Sequence, residues 1–395
     1  FFAYFACFVV SDFFTRTPLL PLRPPVYKVL PPLGLLFFLF QSLVAEPAFE
    51  SVRFSGWRQW NEKDPAFYFQ TPVRHDFHHR LDRYGLAPDS DHRTHPDFTD
   101  PEAARTLAKA IAPIWETQPF RHSISIGIGD HYGYILNPQA REFLGPNPWF
   151  REKPDLSNLY FYFANQVAGE LFGYPHGHSL EKKSPIADQI KLPLDLRPST
   201  LSHEWKLRQN PEISVSWWKP ATWEASSVER PKRYLGLLAY QWLENVPDLT
   251  NAPLNTFPPT HLNTSKPVHP RLIPYLTADR SQWRDPDFQT EDQDLIRRWI
   301  ESGAEKVGLY DYYYGRQYLI PRVFTQQIAE SIRFAHDTGV RGFYAEAYPI
   351  LPYDAPKLTL ATQLLQDVTA DPEAVLDEYY SSRFGEAAPA VRQFF

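Results

Sequence analysis

The stretch EKVGLYDYYYGRQYLIPRVFTQQIAESIRFAHDTGVRGFYAEAYP, residues 305–349, decides the fold. Residues 307–312 are apolar, β-branched and aromatic, which is typical of a buried strand. The following segment carries apolar residues at helical spacing, so that one helix face can cover a sheet: Phe324, Ile328, Ile332 and Ala335. Gly339 ends this helix, and residues 342–346 predict a second short strand. The stretch is therefore predicted to be a βαβ unit with parallel strands.

Carboxylates and tyrosines stand at the carboxyl ends of both strands of this unit. Asp311 precedes the run Tyr312–Tyr314, and Glu346 precedes Tyr348. In α/β barrels the carboxyl ends of the strands carry the chemistry, so these side chains are expected to line one cleft. Carboxylates among aromatic rings favour a carbohydrate site.

The composition excludes several classes of protein. The chain has 395 residues, a net charge of −6 and 16% aromatic residues, with no methionine and one cysteine, Cys7. This length allows one large barrel or two medium domains. The acidic balance argues against a nucleic-acid partner, since no cluster of Lys and Arg interleaved with aromatic residues is present.

The first 45 residues predict a leader. Lys28, the apolar run 33–40 and the small-residue end Leu43–Ala45 follow the pattern of a secretory signal peptide, with cleavage after Ala45. The alternative is a buried apolar segment or an out-of-frame extension. We therefore expect a secreted or periplasmic chain, without membrane association once the leader is removed and without a disulfide.

The remaining periodicity predicts an α/β fold of the (β/α)8 TIM-barrel type over residues 46–395. Further strands are predicted at 123–129, 234–240 and 272–276, with a short one near 73–77. Between 123 and 129, Ile alternates with Ser and Gly, as in a barrel strand that faces helices with its Ile side. Asp100, with Pro101 after it, predicts a helix start. Fewer than eight strands can be recognised, so we expect a barrel that is incomplete at its N-terminal side. Residues 176–230 are expected to be a loop-rich insertion.

A series of short motifs in this order resembles the bacterial domain-of-unknown-function family 4838. From about His75 onward the motifs are HDFHHRL, THPDF, SISIGIGDHYG, YFYFANQVAGELFGYP, YLGLLAY, PYLTADRSQW, GLYDYYYG and GVRGFYAEAYP. The resemblance implies a TIM-barrel fold related to glycoside hydrolases, and carbohydrate as the substrate class. The insertion at 176–230 and Ala355, where the resemblance suggests Gly, depart from the pattern.

Glu346 and Asp130 are the predicted catalytic pair. Glycoside hydrolysis uses two carboxyl groups, about 5 Å apart for retention and about 6.5–9.5 Å apart for inversion. Each candidate follows a predicted strand and has a nearby tyrosine, Tyr132 or Tyr348, which could stack on a sugar or favour a protonated acid. The alternative is that each caps a loop or pairs with an arginine such as Arg341.

Six further residues are predicted to bind substrate: Asp311, Tyr313, Tyr240, Trp242, His131 and Tyr348. Asp311 could instead hydrogen-bond within the barrel, and the aromatic residues could simply pack. His75, His78 and His79 beside Asp76 lack the spacing of a metal site, so we interpret them as a solvated or loop-bonding cluster. No cofactor and no metal are expected.

These observations predict a glycoside hydrolase that acts on a poly- or oligosaccharide. A catalytically silent carbohydrate-binding barrel would share every aromatic feature, because fold does not determine function. A polysaccharide lyase is a third possibility, with Tyr313 as its base. The sequence does not indicate the sugar, the linkage or the oligomeric state.

Overall fold

In a computed structural model of the chain, the residues described are 47–54, 75–78, 81–84, 86, 95–119, 121–130, 133–144, 147–173, 232–250, 266–314, 320–347 and 351–395. All of them belong to the unit Pro47–Phe395. The predicted leader and the predicted insertion lie outside these ranges.

A curled parallel sheet is the centre of the fold. Its strands are β1 (Ser51–Phe54), β2 (Ser123–Ser125), β5 (Tyr234–Ala239), β6 (Leu272–Thr277), β7 (Gly308–Tyr312) and β8 (Gly342–Glu346). A separate antiparallel hairpin consists of β3 (Trp149–Phe150) and β4 (Lys153–Pro154). In the described residues the sheet has six strands in the order β1-β8-β7-β6-β5-β2, and every pairing is parallel. The prediction that β2, β5, β7 and β8 are parallel strands of one sheet is confirmed, and β6 lies between β5 and β7.

Helices alternate with these strands. They are α1 (Pro101–Thr117), α2 (Pro138–Glu142), α3 (Ser157–Phe172), α4 (Pro286–Glu301), α5 (Thr325–Thr338), α6 (Leu351–Gln366), α7 (Pro372–Phe384) and α8 (Ala388–Phe394). Asp100 caps α1 as predicted, because its side chain accepts the backbone N–H of Glu102. The helix predicted by the apolar spacing from Phe324 to Ala335 begins at Thr325, with Phe324 just before it. No helix in the described ranges is long and apolar enough to cross a membrane.

The two faces of the sheet carry different side chains. The outer face packs on the helices, and Ile124, Ile126 and Ile128 belong to that large core, as the alternation predicts. The inner face holds a second, smaller cluster with a high share of tyrosines: Phe77, Tyr234, Leu238, Ile273, Tyr275, Tyr310 and Tyr344. The architecture is therefore a mixed α/β fold with a curled parallel sheet and a filled interior.

Residues 75–78, which we call the inner segment, enter the space enclosed by the sheet. The strand predicted near 73–77 is not formed at 75–77. Instead the backbone N–H of His75 donates to Ser51 Oγ on β1 at 3.4 Å, and that of Asp76 donates to Ser123 Oγ on β2 at 2.5 Å. The inner segment thus contacts both β1 and β2 through serine hydroxyls. In a strand, alternate side chains would point away from the interior, whereas Phe77 of this segment packs inside it.

Two glycines make room for the inner segment. A Cβ at Gly236 would lie 2.0 Å from the carbonyl oxygen of Asp76, and one at Gly127 would lie 2.7 Å from that of Phe77. Both distances are far below ordinary van der Waals contact, and the atoms that would be met are backbone atoms. The ring of Phe77 then stacks on Tyr275 with centroids 3.7 Å apart. A glycine on β5 and another two residues after β2 therefore allow the segment to enter.

Gly236→Ala is expected to destabilise the fold by about 1–3 kcal/mol or more, because the inner segment must move away from β5. Urea unfolding measures the change. Thr106→Ala on the exposed face of α1 is the control, and it should change the free energy of unfolding by less than about 0.5 kcal/mol. A Gly236→Ala variant as stable as the parent would show that the inner segment is not in this place.

Candidate functional site

Glu346 ends β8 at the carboxyl edge of the sheet and faces the interior. Its Oε1 accepts a hydrogen bond of 2.5 Å from the hydroxyl of Tyr310 on the neighbouring strand. Burial, together with this bond, raises the pKa of Tyr310 far above its ordinary value. Tyr310 therefore keeps its proton and remains a donor to Glu346. Arg341, which could have been the partner of Glu346, instead donates to the backbone carbonyls of His336 and Val340.

Further tyrosines surround this pair. Tyr344 lies 4.6 Å from Tyr310 between ring centroids, and Tyr312 lies 5.6 Å from it. Tyr312 and Tyr240 are half-buried and pack against the inner cluster. Burial first, and then interactions with Tyr240 and Glu346, raise the pKa of Tyr312 well above its usual range. We call Glu346, Tyr310, Tyr312, Tyr344 and Tyr240 the mouth cluster.

Two of the predicted substrate-binding residues lie on the opposite face of β7. Tyr313 is fully buried in the outer core, with its ring 5.5 Å from Phe324 and 5.8 Å from Phe343. Asp311 is also fully buried, beside Arg280. Alternation along the strand explains this, since Tyr310 and Tyr312 point inward and residues 311 and 313 point outward. The structure therefore separates Asp311 and Tyr313 from the mouth cluster.

Asp311 shares one guanidinium with a second buried carboxylate. Arg280 Nε lies 2.9 Å from Asp292 Oδ2, and Arg280 Nη1 lies 3.9 Å from Asp311 Oδ2. Asp311 Oδ1 accepts the backbone N–H groups of Arg280 and Tyr312. One positive charge cannot balance two buried negative charges, and burial raises the pKa of Asp311 to about 6 despite Arg280. This is a structural ion cluster that ties the turn after β6 to α4.

The other predicted site residues are more dispersed. Asp130 is exposed and lies five residues after β2, which ends at the carboxyl edge of the sheet. Trp242 stacks on Tyr134 at 4.8 Å and packs on the outer core. His131 and Tyr348, together with Tyr132, lie outside the described residues. Of the predicted residues, Glu346 and Tyr240 are thus brought into the mouth cluster.

Sequence reasoning missed two kinds of residue at this edge. The sequence patterns do not predict Tyr310 as a site residue, although its position two residues before Tyr312 puts it on the same face of the strand. Arg322 donates to both carboxylate oxygens of Asp279 at 2.6 Å and to the carbonyl oxygen of Tyr312 at 2.5 Å. No local spacing signals this pair, because 43 residues separate its members.

A second Tyr–Glu pair lies at the opposite end of the sheet. Tyr234, the first residue of β5, donates from its hydroxyl to Glu305 Oε2 at 3.0 Å. Nearby, Lys306 Nζ binds both oxygens of Glu50, at 2.5 and 2.6 Å. His75 is buried against Tyr275, and burial lowers the pKa of His75 to about 3. Among the described residues no group of three or more His, Cys, Asp or Glu side chains could hold a metal ion.

The raised pKa of Asp311 makes stability depend on pH. Between about pH 4 and pH 6 the folded chain holds this proton more tightly than the unfolded chain, so stability falls as pH rises through this window. Asp311→Asn cannot titrate. The free energy of unfolding of the parent minus that of the variant should therefore decrease from pH 4 to pH 7, by up to about 3 kcal/mol.

Urea unfolding at the two pH values checks this, with Asp294→Asn as control, since Asp294 forms an exposed pair with Arg297. If the free energies of unfolding of parent and Asp311→Asn differ by the same amount at pH 4 and pH 7, the raised pKa of Asp311 is contradicted.

Comparison with known proteins gives one match. Residues 223–395 match the family model described as "Domain of unknown function (DUF4838)". No curated protein and no solved structure matches the chain. The matched residues include β5–β8, Glu346 and the tyrosines of the mouth cluster. Residues 223–395 therefore belong to the DUF4838 domain family.

Proposed function

We propose that the chain is a glycoside hydrolase that acts on a poly- or oligosaccharide at the mouth cluster. The observation that carries this proposal is a carboxylate, Glu346, that ends a parallel strand and is held by the hydroxyl of Tyr310. Carboxyl ends of parallel strands are where α/β barrels carry out chemistry. Glu346 is fixed by the sheet and by Tyr310, so it needs no loop to position it.

The Tyr310 hydroxyl suggests the role of Glu346. A donor aimed at Oε1 stabilises negative charge on the carboxylate. That arrangement suits a carboxylate that attacks the anomeric carbon or activates water. Oε2 accepts no hydrogen bond from the described residues and is the oxygen that would face the sugar. Asp130, exposed beyond β2, is the proposed second carboxyl group and would protonate the leaving oxygen.

The half-buried tyrosines suit a sugar ring. Tyr240 and Tyr312 combine an apolar face with a hydroxyl, and both are accessible in part. Such rings can stack on the C–H face of a pyranose and hydrogen-bond its hydroxyl groups. His131 and Tyr348, which follow β2 and β8 in sequence, remain proposed substrate contacts.

The proposal includes a barrel of the (β/α)8 type, incomplete at its N-terminal side, and export of the chain. The parallel strand order and the curl of the sheet support the first. The leader pattern at residues 1–45 supports the second.

Glu346→Gln is expected to reduce hydrolysis by about 10²- to 10⁴-fold, since it keeps the shape of the side chain and removes its charge and its proton chemistry. The assay is a panel of aryl glycosides and plant or algal polysaccharides, with release of reducing sugar measured for parent and variant. Glu305→Gln is the matched control, because Glu305 also accepts a tyrosine hydroxyl but lies at the other end of the sheet. The control should retain full activity.

Equal activity of parent and Glu346→Gln, with both chains folded, would assign Glu346 a structural role. Binding of a polysaccharide without turnover by the parent would favour the carbohydrate-binding barrel. Release of an unsaturated uronate, detected by its ultraviolet absorbance, would favour a lyase.

A further inference from the structure

The inner segment ends at His78, which lies inside the curled sheet. The backbone of His78 is bound to β2, because Ser125 Oγ donates a hydrogen bond to the carbonyl oxygen of His78. The glycine at 127 allows this approach, because a Cβ there would lie 3.4 Å from the carbonyl carbon of His78. The position of His78 is therefore set by β2 rather than by a flexible loop.

The imidazole of His78 lies among the tyrosines around Glu346. Its ring meets Tyr344 edge to face at 4.8 Å, and Tyr310 at 6.0 Å, between ring centroids. Tyr310 is the residue that donates to Glu346. His78 is half-buried, whereas His75 and Phe77 on the same segment are buried. The inner segment thus presents one polar, partly accessible ring next to the mouth cluster.

The two histidines of the inner segment have different surroundings. His75 lies at the amino end of the strands, where its Nδ1 is 2.9 Å from the hydroxyl of Tyr275. It is enclosed by protein and stays neutral, because burial lowers its pKa to about 3. His78 is three residues further along and has crossed the interior past Phe77, which stacks on Tyr275. One histidine is therefore part of the core and the other lies at the site.

We propose that His78 is a substrate-binding residue of the Glu346 site and that it hydrogen-bonds a hydroxyl group of the sugar. The inner segment, which runs through the interior of the sheet, places His78 at this site. The inference rests on the proposed function for the identity of the ligand. It assigns a role to the motif HDFH, for which the sequence pattern alone predicts a solvated or loop-bonding cluster. An imidazole can donate from one nitrogen and accept at the other, which matches a sugar hydroxyl.

The first test needs no substrate. Tyr310 and Tyr344 lie beside the His78 ring, Tyr310 connects it to Glu346, and Arg53 lies 6.0 Å from the Tyr344 ring. Histidine-selective NMR of the full chain follows its 13 imidazoles with pH, and His78→Phe assigns the signal of His78. Glu346→Gln removes a neighbouring negative charge, so the titration of His78 should move to lower pH. Glu305→Gln should leave it unchanged.

The second test uses a glycoside that the parent cleaves. His78→Phe keeps a ring against Tyr344 and removes both nitrogens; it should lower kcat/KM roughly 3- to 10-fold, the value of one hydrogen bond. His78→Gln, which retains hydrogen-bonding groups, should recover part of the loss. His75→Phe is the matched control, and it should lower the denaturation midpoint while leaving kcat and KM unchanged.

An unmoved His78 titration in Glu346→Gln, or unchanged kinetics in His78→Phe, would overturn the inference. Loss of folding in His78→Phe with normal kinetics of its folded fraction would also assign His78 to the core. If the parent cleaves no glycoside of the panel, the proposed function fails, and the NMR result alone then decides whether His78 belongs to the Glu346 site.

Discussion

The stacking of Phe77 on Tyr275 inside the curled sheet is the contact on which the rest of the structure depends. It fills the interior at the level where β6, β7 and β8 come together. The Tyr275 ring occupies the space that a Cβ at Gly308 or Gly342 would need, so glycine is required at both positions. A Cβ at Gly308 would lie 2.4 Å from this ring. The described residues fill this interior, and Glu346 and its tyrosines lie at the carboxyl edge of the sheet.

Charged groups at the two ends and on the outer face of the sheet have different surroundings. The amino end of the sheet holds closely paired side chains, such as Lys306 with Glu50. The outer face holds the buried Arg280 with two carboxylates, Asp292 and Asp311, and all three side chains are almost completely buried. At the carboxyl edge, Glu346 accepts the neutral hydroxyl of Tyr310, and no arginine or lysine of the described residues pairs with it. A carboxylate whose charge is not neutralised by a salt bridge is better suited to react with a substrate.

Much of the fold could be predicted from the sequence. Alternation of Ile with Ser and Gly gives the two faces of β2, and the helical spacing after Pro321 gives α5, because both patterns are local. The site could be predicted in part. The end of a strand places Glu346 correctly, whereas Asp311 and Tyr313 fall on the outer face by the same alternation that puts Tyr310 and Tyr312 inside.

The inner segment could not be predicted, because its contacts are remote in sequence. Asp76 pairs with Arg121, 45 residues away, and His75 with Tyr275, 200 residues away. A short aromatic segment with polar neighbours resembles an edge strand locally, and only the glycines of distant strands show where it fits. For the same reason the local sequence around His78 predicts only a solvated or loop-bonding cluster.

A double-mutant cycle at Phe77 and Tyr275 tests the central claim most directly. Each residue is replaced by leucine, singly and together, and the free energy of unfolding is measured for all four chains. Stacked rings in the interior predict a coupling energy of about 0.5–1.5 kcal/mol. Effects that add to within about 0.3 kcal/mol would mean that the two rings do not touch, and would contradict the account.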